Sequence, residues 1–499
     1  MADIDIDRRS LLLTGAAALG SAALLGGCGN SGPIGGAEAS APSATSGDYQ
    51  ADVVIVGGGV AGLTAARRLV AAGVRVLVAE ARGRVGGRTL NYALSPPAHS
   101  DTIVEVGGQW VGPTQDRVLA LIDELGLSTF PTYNDGSLID YRNGRAVSYD
   151  GRVPPTDPIG AAEAGLTIER LNALAEQVPL DAPWTAENAE EWDSQTFQTW
   201  MDQNLITPGG KSLVQLAIEA VFSAQPRDLS LLHVLFYIHS AGSLDALIDT
   251  AGGAQESRVV GGTQLIAQRM AADLGERVLL NAPVSEIEQG DGTVVVRGNS
   301  FSIKAQRAIV TLPPTLAARI RYMPALTGLR DQLTQRMPMG TVIKVQCVYP
   351  TPFWRMDGLS GQATSDTGPV KLTYDNSPPD GHVGVMMGFI EGEEGRAAMR
   401  MTPEQRRAGV IESFVRYFGE GAAEPLDYIE QNWASEEWTR GCYAGYMPPG
   451  VWLDYGDQLS MPAGLLHWAG SETASIWNGY IDGAVRSGEQ AAAQVQALL

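Results

Sequence analysis

Only three cysteines occur in 499 residues, Cys28, Cys347 and Cys442. That is too few for a disulfide scaffold, and no CxxC spacing offers a thiolate metal site. Histidine is almost as scarce: His99, His233, His239, His382 and His467 form no HExxH pair, which removes the commonest zinc hydrolase pattern. No GxSxG elbow marks a serine hydrolase either. Basic residues are outnumbered, with 35 Lys and Arg against 56 Asp and Glu for a net charge of −21. Nucleic-acid backbones are held by clustered Lys and Arg, so no nucleic-acid partner is expected, and an acidic field favours cationic ligands. With 44% hydrophobic and 18% charged residues the chain is neither wholly disordered nor a multi-span membrane protein. Its length suggests one large or two to three ordinary domains.

The N-terminus has the layout of an address. Arg8-Arg9 precedes an uncharged apolar run from Leu11 to Leu25, too short for an ordinary transmembrane anchor and typical of an export signal. The paired arginines favour a twin-arginine route, which carries folded proteins and suits a chain that loads a cofactor first. Leu25-Gly26-Gly27-Cys28 resembles a bacterial lipobox, making Cys28 the candidate lipid anchor; an ordinary signal peptide with a chance cysteine is the alternative. Residues 1–27 are thus expected to be an export signal and 28–48, rich in Gly, Ser, Ala and Pro, a flexible tether. The protein is expected in the bacterial cell envelope on its extracytoplasmic face, or secreted.

Chemistry enters after residue 50. Ala51 to Val56 is a short strand-like run leading into Gly57-Gly58-Gly59-Val60-Ala61-Gly62, a GxGxxG match. A helical pattern follows through Leu63, Ala66, Leu69 and Val70, then a second strand from Val74 to Ala79 that ends at Glu80. In such a βαβ unit the glycines let the backbone approach a pyrophosphate at a helix N-terminus. Glu80, 23 residues beyond Gly57, is suited to the ribose hydroxyls. Val284 to Leu312 alternates apolar and polar residues around Asp291-Gly292 and Gly298-Asn299, the pattern of an antiparallel meander. Helices are expected over Leu213 to Phe222 and Pro403 to Phe418, and the acidic run Glu391 to Glu394 reads as solvated surface rather than a metal site. Lys344 and Cys347 fall on opposite faces of one predicted strand, with Cys347 a core side chain and Lys344 either an edge charge or a buried functional amine.

FAD and NAD share this fingerprint, and the continuation decides between them. Glu80-Ala81-Arg82-Gly83-Arg84-Val85-Gly86-Gly87-Arg88 resembles the second fingerprint of the flavin amine oxidase family. The likeness extends through Gly107 to Gln115, Pro338 to Lys344, Gly441-Cys442-Tyr443 and Ala469 to Thr473. From about residue 50 onward the chain is similar to monoamine oxidases.

That resemblance implies an α/β (α+β) fold: a Rossmann-like FAD-binding domain of the glutathione-reductase/amine-oxidase type with an interleaved substrate-binding domain. The FAD domain is expected over 49–130, 255–325 and 430–499, and the substrate domain over 131–254 and 326–429. It implies FAD contacts from Gly57, Gly59, Gly62, Glu80, Arg82, Arg88, Val284, Trp433, Gly470, Glu472 and Ile481, and a covalent thioether through Cys442. Tyr443 and Tyr480 become the walls of an aromatic cage, and Lys344 holds a water at flavin N5. Leu247, Gln255 and Leu372 take substrate-cavity positions, Leu247 and Gln255 by way of a one-residue insertion at Ala254.

The implied reaction is oxidative deamination of a primary amine to aldehyde and ammonia, with O2 reduced to H2O2. A substrate with an apolar or aromatic body is expected, since no arginine stands out as a carboxylate clamp. Two alternatives stay open: a flavin amine dehydrogenase passing electrons to a quinone or cytochrome, and a non-catalytic flavin-binding lipoprotein.

Overall fold

Val53–Val56 consists of four aliphatic residues buried on both faces, the composition of a central parallel strand. It lies between Val76–Ala79 and Arg307–Val310, with Val278–Leu279 and Leu466–Trp468 outside them, every pair parallel. The computed structural model describes residues 47–95, 102–151 and 154–499. The expected export signal, Cys28 and the tether up to residue 46 lie outside the described residues; Gly47 and Asp48 already belong to strand Gly47–Gln50.

From Val56 the chain passes through Gly57 into helix Val60–Ala71, whose Leu63, Ala66 and Leu69 are fully buried. The C-terminal helix Ile481–Gln496 packs along it. A Cβ at Gly488 would stand 2.4 Å from the Ala61 carbonyl oxygen, so only glycine permits this approach. Val485, Ala491 and Val495 share one core with Leu63 and Leu69, each buried Val or Leu contributing roughly 1.5–3 kcal/mol. Residues near 60 and near 490 are therefore neighbours, as the wide separation of the glycine-rich stretches required.

The meander is present as Val284–Gly290, Thr293–Gly298 and Phe301–Ala305. Asp291 and Gly292 both have positive φ, 52° and 72°, which a two-residue hairpin turn of the I′ type demands.

A seven-stranded sheet runs in the order Asp427–Asn432, Val342–Tyr349, Gly384–Glu391, Leu372–Asp375, Leu359–Ser365, Ser137–Arg142, Arg145–Tyr149. Its strand Val342–Tyr349 is buried along its whole length. Ile343, Val345 and Cys347 enter the core beneath helix Pro403–Phe418, while Val342 points the other way, towards Trp433 and Cys442. The two expected helices are Pro208–Phe222 and Pro403–Phe418, each started by a threonine cap and a proline in the first turn. Helix Leu231–Ala241 is apolar nearly all round and is buried accordingly.

Candidate active site

At the end of Val53–Val56 the backbone is shaped for close approach. Gly57 has φ of 111°, and a Cβ at Gly62 would lie 2.1 Å from the Gly57 carbonyl oxygen. Gly59, at the helix N-cap, has open space where a Cβ would project, and no side chain caps the helix there. Its first N–H groups and dipole are left for an anion. Glu80 is buried and rigidly aimed: one carboxylate oxygen accepts from the Gly58 N–H at 2.7 Å and the other from the Arg82 N–H at 2.9 Å. Asn281 and Ala282 donate to the carbonyls of Arg82 and Glu80, which brings the start of the Val284 strand beside this loop. This glycine cradle with its fixed carboxylate fits a dinucleotide.

Arginines tie that loop to the far end of the chain. Arg82 pairs with Glu436 and donates to Thr439 Oγ1 at 2.6 Å. Arg88 forks onto Glu472, at 2.6 and 2.9 Å, and also donates to the Tyr443 carbonyl at 2.8 Å. Burial alone would discharge both partners. The attraction within the pair wins, holding Arg88 above its ordinary range and Glu472 below the usual carboxylate range. Gly470, at φ 139°, immediately precedes this clamp.

Beyond the clamp opens a cavity of about 920 Å³. Nine residues expected at the site line it: Leu247, Gln255, Lys344, Leu372, Trp433, Cys442, Tyr443, Tyr480 and Ile481. The fold thus gathers them from distant stretches of chain. Gly57, Gly59, Gly62, Glu80, Arg82, Arg88, Val284, Gly470 and Glu472 do not line this cavity. Trp433 is fixed by its indole N–H on the Val106 carbonyl, 2.9 Å. The thiol of Cys442 is pushed up to about 12 by burial, with the Arg88 charge opposing that shift. Gln255 donates to the Leu247 carbonyl at 3.0 Å, while its Oε1 has no partner among the described residues.

Lys344 is a buried amine rather than an edge charge. It donates to the Gly107 carbonyl at 2.9 Å and to Gln109 Oε1, with the Trp110 and Phe389 rings 5.9 and 5.8 Å away. Burial lowers its pKa to about 7; Glu105 opposes that shift and Arg258 adds to it.

Several wall residues were not anticipated. Phe389 meets Tyr443 edge-on at 5.8 Å, Trp110 meets Tyr374 at 4.8 Å, and Tyr237 lies 6.1 Å from Tyr480. Only tertiary packing brings these rings together, so no spacing in the sequence announces them. Glu391 corrects the surface reading of the acidic run. Glu393 is exposed, but Glu391 accepts a hydrogen bond from the Tyr443 hydroxyl at 2.7 Å and from Ser223 Oγ at 3.3 Å. Its position at the inner end of strand Gly384–Glu391 accounts for the difference. Burial, reinforced by Glu219, raises the Glu391 carboxyl to about 8 against the pull of Tyr443 and Lys371. Burial and Glu391 together keep the Tyr443 phenol protonated.

Residues 60–496 match the family model of flavin containing amine oxidoreductases, and the chain belongs to that family. It is 42% identical over 452 residues to the Mycobacterium tuberculosis protein AofH, named as a flavin-containing monoamine oxidase, covering 90% of this chain and 98% of that one. With mouse amine oxidase [flavin-containing] B it shares 36% identity over 451 residues, 89% of this chain and 86% of the relative. Among solved structures, wild-type putrescine oxidase bound to putrescine superposes with a TM-score of 0.87 at 36% identity, covering 90% of this chain and all of that one. Cyclohexylamine oxidase from Brevibacterium oxydans gives 0.86 at 32%, covering 90% and 99%. The protein is a flavin-dependent amine oxidase that binds FAD.

Proposed function

We propose that the protein oxidises primary amines with an apolar or aromatic body to the aldehyde and ammonia, with O2 as acceptor and H2O2 as product. The observation that carries this reading is the common cavity in which Lys344, Cys442, Tyr443 and Tyr480 meet aliphatic Leu247 and Leu372. When bound, the flavin supplies the two-electron acceptor for the C–H bond alpha to nitrogen. Gly57, Gly59, Gly62 and Glu80 hold its dinucleotide part, with Arg82, Arg88, Val284, Trp433, Gly470, Glu472 and Ile481 around the remainder. Tyr443 and Tyr480, kept neutral by burial, are walls that orient the amine and favour its cationic form on approach. The unpartnered Gln255 oxygen is free to accept from the substrate nitrogen. Lys344 faces the same cavity, where a cation stabilises negative charge as oxygen is reduced.

Cys442 carries the flavin covalently in this reading. One solved neighbour is a putrescine oxidase in which an alanine was changed to cysteine in a redesign of cofactor binding. Acid precipitation tests it: the yellow colour should stay with the pellet, and release into the supernatant refutes the bond. Cys442→Ala should still bind FAD, because the glycine cradle remains.

A diamine is a second reading, favoured by Glu169 and Asp245 on the same cavity wall. The partition into an FAD domain of 49–130, 255–325 and 430–499 and a substrate domain of 131–254 and 326–429 belongs to the proposal, as does export with a lipid anchor at Cys28. Moving the enzyme from the membrane to the soluble exported fraction by Cys28→Ala tests the anchor.

A further inference from the structure

Behind Lys344 lies a chain of three fully buried amides. Gln109 accepts from Lys344 through Oε1 and donates through Nε2 to Asn376 Oδ1, 2.8 Å. Asn376 donates through Nδ2 to Gln346 Oε1, 2.8 Å, and Gln346 donates through Nε2 to the Glu105 main-chain oxygen, 3.0 Å. Arg258 braces it from outside, binding the Glu105 carboxylate at 2.6 Å and the Asn376 carbonyl at 3.0 Å.

An amide's oxygen and nitrogen are alike in shape, so something must decide which end faces which neighbour. Here the far terminus decides. A main-chain carbonyl can only accept, so Glu105 selects the NH2 of Gln346. Gln346 then has only its oxygen left for Asn376, Asn376 only its oxygen for Gln109, and Gln109 only its oxygen for Lys344. Reversal would set two carbonyl oxygens face to face at Glu105 and an NH2 against the amine at Lys344.

We propose that Gln109, Asn376 and Gln346 are positioning residues that form a one-way amide chain, presenting an oxygen to Lys344 and holding its nitrogen as a hydrogen-bond donor at the cavity wall. The assignment rests on the role given to Lys344 above. The charged groups that act on Lys344 are Glu105 and Arg258, with opposite effects, and burial disfavours the ammonium. The Gln109 and Gly107 oxygens are thus what retains a proton on a group poised near neutrality.

The chain has only four lysines, Lys211, Lys304, Lys344 and Lys371, so isotope labelling of lysine in the full-length holoenzyme gives few signals. The Lys344 signal is the one missing from Lys344→Met. Gln109→Leu should lower the Lys344 titration midpoint by at least about one pH unit, the scale of a lost charge-assisted hydrogen bond. Asn376→Leu, which leaves Gln109 free to turn over, should lower it less, and Gln109→Glu should raise it. The two leucine variants lie on different segments, so one that does not yield folded holoenzyme leaves the other to decide. An unmoved midpoint in a folded leucine variant, or a shift of the same sign in Gln109→Glu, overturns the chain. The pH dependence of flavin reoxidation in the same variants reports separately. If the midpoint moves and reoxidation does not follow, the amide chain stands and the oxygen role of Lys344 falls.

Discussion

Two cations beside the cavity, Lys344 buried and Arg88 half-buried, are handled in opposite ways. Arg88 is given a carboxylate, forked onto Glu472, and is held permanently charged. Lys344 is given neutral oxygens from Gly107 and Gln109, and burial brings it to about 7. The first arrangement makes a clamp, joining the loop after Glu80 to the C-terminal segment and keeping both charges at neutral pH. The second makes a group that changes its charge within the working range of an enzyme. A fold can thus bury both a fastener and a titrating amine, and the partner's charge decides which it is.

The largest effect expected of any change to this contrast comes from removing the clamp's anion. Glu472→Gln leaves Arg88, whose side chain is 24% exposed, without its countercharge and should cost about 3 kcal/mol of stability. Chemical denaturation of the flavin-loaded enzyme measures it, and a loss under about 1 kcal/mol would mean that solvent or the flavin already balances Arg88.

Lys344→Met should slow flavin reoxidation by about 10²-fold, near 2.7 kcal/mol, while reduction by amine changes far less. In the wild type the reoxidation rate should fall as pH rises through about 7, because the ammonium is lost there. Stopped-flow traces of the two half-reactions separate these effects. Equal slowing of both would make Lys344 a packing residue.

A smaller effect belongs to Glu391. Its carboxyl is raised to about 8, so the native state holds a proton that the unfolded chain releases above about 4.3. Stability contributed by that proton is full below the unfolded pKa and is lost as pH rises through about 8. Glu391→Gln, which cannot ionise, should flatten the decline in melting temperature between those limits. An unchanged slope would place the titration elsewhere.

The dinucleotide end was legible because its signals are local. Gly57, Gly59, Gly62 and Glu80 lie within one strand, helix and strand, and each residue type suits the backbone approach or ribose contact proposed for it. The meander at Asp291-Gly292 was readable for the same reason. Lys344, Cys442, Tyr443 and Tyr480 were found through family motifs, not through any periodicity of their own. The Phe389, Tyr374 and Tyr237 walls were missed because their contacts exist only after separate strands and helices pack. Glu391 was misread because a short acidic run ordinarily marks solvent, and nothing local tells that its first member ends a buried strand beside Tyr443. The amide chain behind Lys344 joins positions 105, 109, 346 and 376, which only the paired sheet and its neighbouring loop bring together.

Under anaerobic conditions the flavin-loaded enzyme should be mixed with tyramine, putrescine and tyrosine in turn and flavin bleaching followed. Tyramine should bleach it at least about 10²-fold more efficiently than tyrosine, because no arginine is among the described residues lining the cavity to clamp a carboxylate, and Glu169 and Asp245 on its wall repel one. Admission of O2 should then return the yellow enzyme with one H2O2 per amine consumed. Comparable bleaching by tyramine and tyrosine, or faster bleaching by tyrosine, would contradict the account; a preference for putrescine would keep the reaction and transfer the substrate reading to Glu169 and Asp245.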